Sequence, residues 1–187
     1  NFYVFTVNGF PYGQFHYSNV KTGVYYPDWR TSERTQYTIK LIKILSELIP
    51  DSVNGSISTV PCSYSAWIKS DRDRLLMVSN IVKCAWYCYL VKQKTGKLIE
   101  IGLEPEPDCF IENTHQTIDF FENSLFTQGA LVLARTKKIS KSKAENIIRE
   151  HIGVCFDTCH MSVQFEDLTE SLKNLLKASI KISKLQI

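Results

Sequence analysis

Hydrophobic residues in this chain fall into two kinds of pattern that alternate along it. Short, nearly continuous apolar runs predict five strands, at residues 3–7, 55–60, 98–103, 152–156 and 180–187. Helically spaced apolar stripes lie between them. Because successive strands can point the same way only if a crossover returns the chain, this alternation predicts a parallel sheet with helices packed on it.

The stripes come with recognisable helix ends. One helix is predicted between a cap at Thr31 or Ser32 and Pro50, with its stripe facing the sheet, and a second ends at Gly96. Others are predicted after residue 113 or 114, from the Ser142–Glu145 spacing and from the Asp167–Glu170 spacing. The stripe of the first helix is Tyr37, Leu41, Ile44, Leu45 and Leu48, and that of the second is Leu75, Val78, Val82, Ala85 and Tyr89.

A parallel sheet can be open or closed into a barrel, and the pattern alone does not decide between them. The chain lacks the glycine-rich phosphate-binding turns that are frequent in open sheets, which favours a barrel. An eight-fold barrel takes about 250 residues. We therefore expect an α/β fold with about five consecutive βα units of an incomplete (β/α)8 TIM barrel. Residues 1–187 would form a single partial domain, a fragment with the first and last strands missing.

Composition and charge narrow the classes of partner. The net charge is +3, and lysines and arginines are spread along predicted helices, so nucleic acid and membrane surfaces are poor candidates. No apolar stretch approaches the roughly 20 residues of a membrane span. Six cysteines fall largely inside predicted elements, as in a reduced, cytoplasmic protein.

The chemistry-bearing residues cluster where two strands end. Glu104 closes the third strand within an acidic turn that continues to Glu106 and Asp108, and Asp157 closes the fourth, with His160 three residues later. Ends of parallel strands meet at one edge of the sheet, where α/β active sites lie. Carboxylates with an imidazole suit a divalent metal such as Mn, Mg or Zn. A solvated acidic turn and an unrelated surface histidine are the alternative.

The long aperiodic stretch after the first strand, up to about residue 32, is a candidate lid over the same edge. It supplies Asn8, His16 and Trp29 as candidate substrate-binding residues. The alternative is that its aromatic side chains only pack over the sheet.

Four blocks of the chain, at residues 5–13, 55–61, 103–108 and 153–160, are similar to the EboE family of metabolite traffic proteins, within the xylose isomerase-like barrel superfamily. The resemblance implies Glu104 and Asp157 as metal ligands, with Glu104 and His160 catalytic. It also implies a histidine on the next strand, where this chain has 183-SKLQ-186 instead. The Gln186 carbonyl oxygen is then the substitute metal ligand, and Lys184 a substrate-binding residue.

Two functions follow from these residues and this resemblance. The first is a barrel that binds a small polar metabolite at the strand ends and catalyses metal-dependent isomerase or epimerase chemistry. The second is a non-catalytic binding partner, working with other proteins in the export of a secondary-metabolite precursor.

Overall fold

A computed structural model of the chain describes residues 2–12 and 22–187. One all-parallel sheet runs through it, made of β1 (Thr6–Asn8), β2 (Gly55–Thr59), β3 (Ile99–Leu103), β4 (Ile152–Asp157) and β5 (Ile182–Gln186). Each predicted run overlaps a strand, but the first strand begins only at Thr6, and the residues before it are exposed. The α/β class and the parallel sheet are confirmed.

The strands lie side by side in chain order, and the sheet is curled into half of a barrel. An open doubly wound sheet reverses its strand order at a switch point, and this one does not. Its curvature brings Lys184 of β5 to Ser58 of β2 across the concave face, with Nζ 3.2 Å from Oγ. β1 and β5 are the edge strands of the described sheet.

Helices cover the convex face of this sheet. After β1 comes α1 (Ser32–Leu48), and after β2 comes α2 (Asp71–Thr95). Between β3 and β4 lie α3 (Thr114–Asp119), a π-helical stretch (Phe120–Gly129), α4 (Ala130–Lys137) and α5 (Lys141–His151). Between β4 and β5 lie α6 (Thr158–Val163) and α7 (Leu168–Lys177). Short 3-10 turns occur at Gly23–Tyr25 and Ser65–Trp67.

Most predicted helix ends are confirmed by capping hydrogen bonds. Thr31 caps α1, Asp167 caps α7, and Gly96 ends α2 with a left-handed φ of 75°. The Ser142–Glu145 prediction is wrong. α5 begins two residues earlier, because the Ser140 side chain accepts from the backbone N–H of residue 143.

The core lies between the helices and the convex face. Ile57, Ile101 and Val154 point into it from the strands, and all are at most 1% exposed. The predicted stripe of α1 has the wrong phase, since Ile44 and Leu48 are about half exposed. Its true inner face mixes apolar and polar residues: Arg34, Thr35, Thr38, Ile42 and Leu45.

By length and composition alone, α2 is apolar enough to cross a membrane. In the structure it packs against α1, α5 and the sheet, and the side chains of Met77, Val78, Ile81 and Ala85 are fully buried. Its apolar composition is therefore that of a core helix. All six cysteines are free thiols, five of them buried.

Candidate functional site at the strand ends

The polar residues of the sheet lie on its concave face. Alternate residues of a strand point to opposite faces, so Glu100, Gly102 and Glu104 of the third strand turn away from the core. Cys155 and Asp157 do the same on β4, where they pair in register with Lys184 and Gln186 of β5. The concave face is thus charged at the ends of three neighbouring strands.

β3 and β4 approach each other closely below this cluster because residue 102 is a glycine. A Cβ on Gly102 would lie 2.8 Å from the backbone nitrogen of Cys155, closer than real contacts allow. The missing side chain therefore allows the close spacing of the two strands two residues before Glu104 and Asp157.

Asp157 is held in place by both of its carboxylate oxygens. Oδ1 accepts from the backbone N–H groups of Cys159 (2.8 Å) and His160 (3.1 Å), which makes Asp157 the N-cap of α6. Oδ2 accepts from the amide nitrogen of Gln186. The residue is 4% exposed, so its charge is stabilised by partners and not by water.

The helix that Asp157 caps carries His160 into the same cluster. Nδ1 of His160 lies 3.1 Å from the carbonyl oxygen of Pro105 and 3.9 Å from Oε1 of Glu104. Because a carbonyl oxygen can only accept, Nδ1 carries the proton and Nε2 is left with a free lone pair. One ligand atom from each of Glu104, Asp157 and His160 lies within 4.8 Å of the others.

Glu104 is as deeply buried as Asp157 and has an unused oxygen. Oε1 lies 3.4 Å from the Gln186 amide nitrogen, whereas Oε2 is buried without a hydrogen-bond partner among the described residues. The side chain is about 5% exposed. Burial raises the pKa of Glu104, and Asp157 adds to the rise, whereas His160, Cys155 and Lys184 oppose it.

Glu106 is a neighbouring acid that the sequence placed in the turn without giving it a role. Its Oε2 is also buried and unpartnered among the described residues. Burial raises the pKa of Glu106 to about 7, and the negative charge of Glu104 adds to the effect, against His160 and a hydrogen bond from Tyr25. The sequence signal for Glu106 was the repeated Glu-Pro pair. In an extended segment, residues two apart lie on the same side, so Glu106 follows Glu104 there.

Lys184 lies deeper in the concave face than the acids. Its ammonium group donates to Oγ of Ser58, whose hydroxyl lies 3.3 Å from Oδ1 of Asn8. Ser58 is a further polar residue of this face that sequence reasoning missed. The signal was the alternation of small polar residues, Ser56 and Ser58, in a strand whose residues are all buried.

Two residues assigned to the lid have other outcomes. Trp29 is fully buried, and its indole N–H donates to the carbonyl oxygen of Val60 at 3.1 Å. The prediction that Trp29 contacts a metabolite is therefore wrong, because its side chain has no accessible surface and belongs to the core. His16 lies outside the described residues.

The donor set fits a divalent cation. Two carboxylates converge beside the His160 ring, and the buried orphan oxygen of Glu104 lacks the partner that such a group normally has. Gln186 turns its amide nitrogen toward the acids. A half-turn about its last side-chain bond would present the carbonyl oxygen there instead.

Comparisons of this chain with protein-family models, curated proteins and solved structures find no match. Function is therefore argued from the geometry of the strand ends.

Proposed function

We propose that the concave mouth binds a divalent metal and a small polar metabolite, and that it catalyses proton transfer next to a carbonyl in the manner of an isomerase or epimerase. The observation that carries the proposal is the unpartnered, buried Oε2 of Glu104 beside Asp157 and His160. Leaving a buried acceptor unsatisfied costs about 1–3 kcal/mol, which a ligand would recover.

Each residue has a role in this proposal. Glu104 and Asp157 would hold the metal, with the carbonyl oxygen of Gln186 as a third oxygen ligand. When bound, the metal supplies Lewis-acid polarisation of a substrate carbonyl. At Nε2, His160 accepts or donates a proton, and a hydrogen bond at the same atom orients a substrate hydroxyl. Its Nδ1–H remains bonded to the carbonyl oxygen of Pro105. Lys184 and Asn8 bind polar groups deeper in the face.

This proposal includes the EboE-like and xylose isomerase-like assignment, the closure of the sheet as a TIM barrel and a cytoplasmic location. The sequential order of five parallel strands and the position of the acids at their carboxyl ends support it. The six free thiols are compatible with a reducing compartment.

A second candidate is metal-free binding of a metabolite by a non-catalytic export partner. One observation favours it: the Gln186 amide donates toward both carboxylates, so the chain itself supplies hydrogen bonds that partly stabilise the acids without an ion. In this version the same cleft binds its ligand without an ion.

Proton exchange separates the two candidates. Hydroxyacetone, with a carbonyl beside a hydroxyl-bearing carbon, is incubated with the protein and Mn²⁺ in heavy water, and deuterium uptake at that carbon is followed by NMR. The enzyme proposal predicts uptake that requires metal and is lost in Glu104→Gln and His160→Gln, but is retained in Glu100→Gln. Deuterium uptake no faster than with Mn²⁺ and no protein would contradict the enzyme proposal. Binding of a metabolite that a chelator leaves unchanged would favour the second candidate.

A further inference from the structure

The turn between α4 and α5 concentrates positive charge. Five cations lie within nine residues, and no acidic residue occurs between Glu122 and Glu145. This basic turn consists of Arg135, Lys137, Lys138, Lys141 and Lys143. Across the described residues, none of the five forms an ion pair. All are exposed except Lys137, which is half-buried.

Two of these lysines lie over aromatic rings of α2. Nζ of Lys137 is 5.4 Å from the centre of the Trp86 ring, and Nζ of Lys143 is 5.6 Å from that of Tyr89. The two rings are themselves 5.1 Å apart. The basic turn and this part of α2 therefore form one continuous surface.

Helix stability explains only part of the charge. Lys137 and Arg135 lie in the last turn of α4, where cations interact favourably with the helix dipole and stabilise the helix. Lys141 and Lys143 lie in the first turn of α5, which contains no acid. Cations there oppose the dipole, so these two lysines weaken the helix that carries them. Helix stability therefore does not explain their position.

Apolar side chains border the same surface. Leu90 is one turn from Trp86 on α2 and is 44% exposed, and Leu131 is one turn from Arg135 on α4 and is 40% exposed. Cations beside interfacial aromatic rings and exposed leucines are the composition of a peripheral membrane-binding surface.

We propose that the basic turn, with the adjoining face of α2, docks on an anionic lipid bilayer through lipid headgroups. The expectation that membrane surfaces are poor partners rested on dispersed lysines and arginines, but five of these cations are concentrated in the basic turn. Nucleic acid is the weaker choice, because bases stack on free aromatic faces, and Lys137 and Lys143 lie over both rings.

Vesicle sedimentation tests the proposal with vesicles in which about a third of the lipid is phosphatidylserine, against pure phosphatidylcholine. The wild-type chain should bind only the anionic vesicles. Each lysine near such a surface contributes about fivefold to binding, so Lys138→Gln/Lys141→Gln should bind at least about tenfold more weakly. Lys173→Gln/Lys177→Gln on α7 is the matched control and should bind as wild type does.

Folding does not confound this comparison. Removing Lys141 from the first turn of α5 relieves an unfavourable dipole interaction, and removing Lys138 from the C-terminal end of α4 loses a favourable one. The two changes offset each other, so the Lys138→Gln/Lys141→Gln variant should unfold at about the same temperature as wild type. Equal binding to both vesicle types, or equal loss in the two double variants, would overturn the proposal. So would tighter binding to a single-stranded RNA oligonucleotide than to anionic vesicles.

Discussion

Gln186 donates a hydrogen bond from its amide nitrogen to Oδ2 of Asp157, and so joins the carboxyl end of β5 to that of β4. The same nitrogen lies 3.4 Å from Oε1 of Glu104 at the end of β3. One neutral side chain thus connects three strand ends and sits between two buried carboxylates. The behaviour of the site depends on this contact.

Replacing Gln186 with glutamate turns this attractive contact into a repulsive one. A third carboxylate would meet Asp157 and Glu104, and the repulsion should lower the free energy of unfolding by about 2 kcal/mol in the absence of metal. Because Mn²⁺ would bind three acids, adding it should restore more stability to Gln186→Glu than to wild type. Urea unfolding with and without Mn²⁺ measures both effects. A metal-independent deficit would count against a cation between these residues.

Glu106 should make stability fall as the pH rises. Its folded-state pKa of about 7 lies above the ordinary value of 4.5, mainly because of burial. Its stabilising contribution is therefore complete below pH 4.5 and is lost as the pH rises through about 7. Urea unfolding across this range should show wild type losing stability relative to Glu106→Gln. A constant difference between the two proteins would contradict the pKa.

His151 should have the opposite effect at the other end of the sheet. It is fully buried, and Nδ1 lies 2.9 Å from the carbonyl oxygen of Ile99. Burial lowers the pKa of His151 from 6.5. The stability due to its neutral form is present above pH 6.5 and is lost as the pH falls through the depressed folded-state value. Its imidazole NMR signals should titrate below pH 6.5, and titration above that value would contradict the burial argument.

Gly102→Ala should disturb the site without changing a polar group. The new Cβ would press on the backbone nitrogen of Cys155, which cannot move without displacing β4. We expect a loss of about 1–3 kcal/mol in the free energy of unfolding, together with weaker metal binding. The control is Gly55→Ala, whose Cβ would meet the end of the flexible Leu45 side chain. Equal effects of both changes on metal binding would show that strand spacing at residue 102 does not matter.

Much of the fold was predictable because its signals are local. The strand runs, the Asp167 cap and the Gly96 terminator depend on residues close in sequence, and all three were confirmed. The cap of α5 was assigned to the wrong serine because Ser142 has a glutamate three residues later, as in a capping box, whereas Ser140, which is the true cap, has Lys143 at that position. The phase of α1 was wrong because Arg34 and Thr38 are buried, which hydrophobicity alone does not indicate.

The candidate site was predictable only in part. The convergence of Glu104, Asp157 and His160 follows from parallel strands ending at one edge. The Gln186 bridge depends on the β4–β5 register, which shifts between Val154 and Cys155 at an irregularity that the sequence does not announce. Burial of Trp29 required the tertiary contact with Val60, 31 residues away. Local patterns contain no such information.

Calorimetric titration with Mn²⁺ tests the central claim most directly. The account predicts that wild type binds the ion and that Glu104→Gln, which keeps the shape of the side chain, binds it at least about tenfold more weakly. Glu100→Gln is the matched control. It changes an acid on the same face of β3, four residues before Glu104, whose Oε1 lies 2.7 Å from Nζ of Lys181, and it should leave Mn²⁺ affinity unchanged. No binding by wild type, or equal binding by Glu104→Gln, would contradict the account.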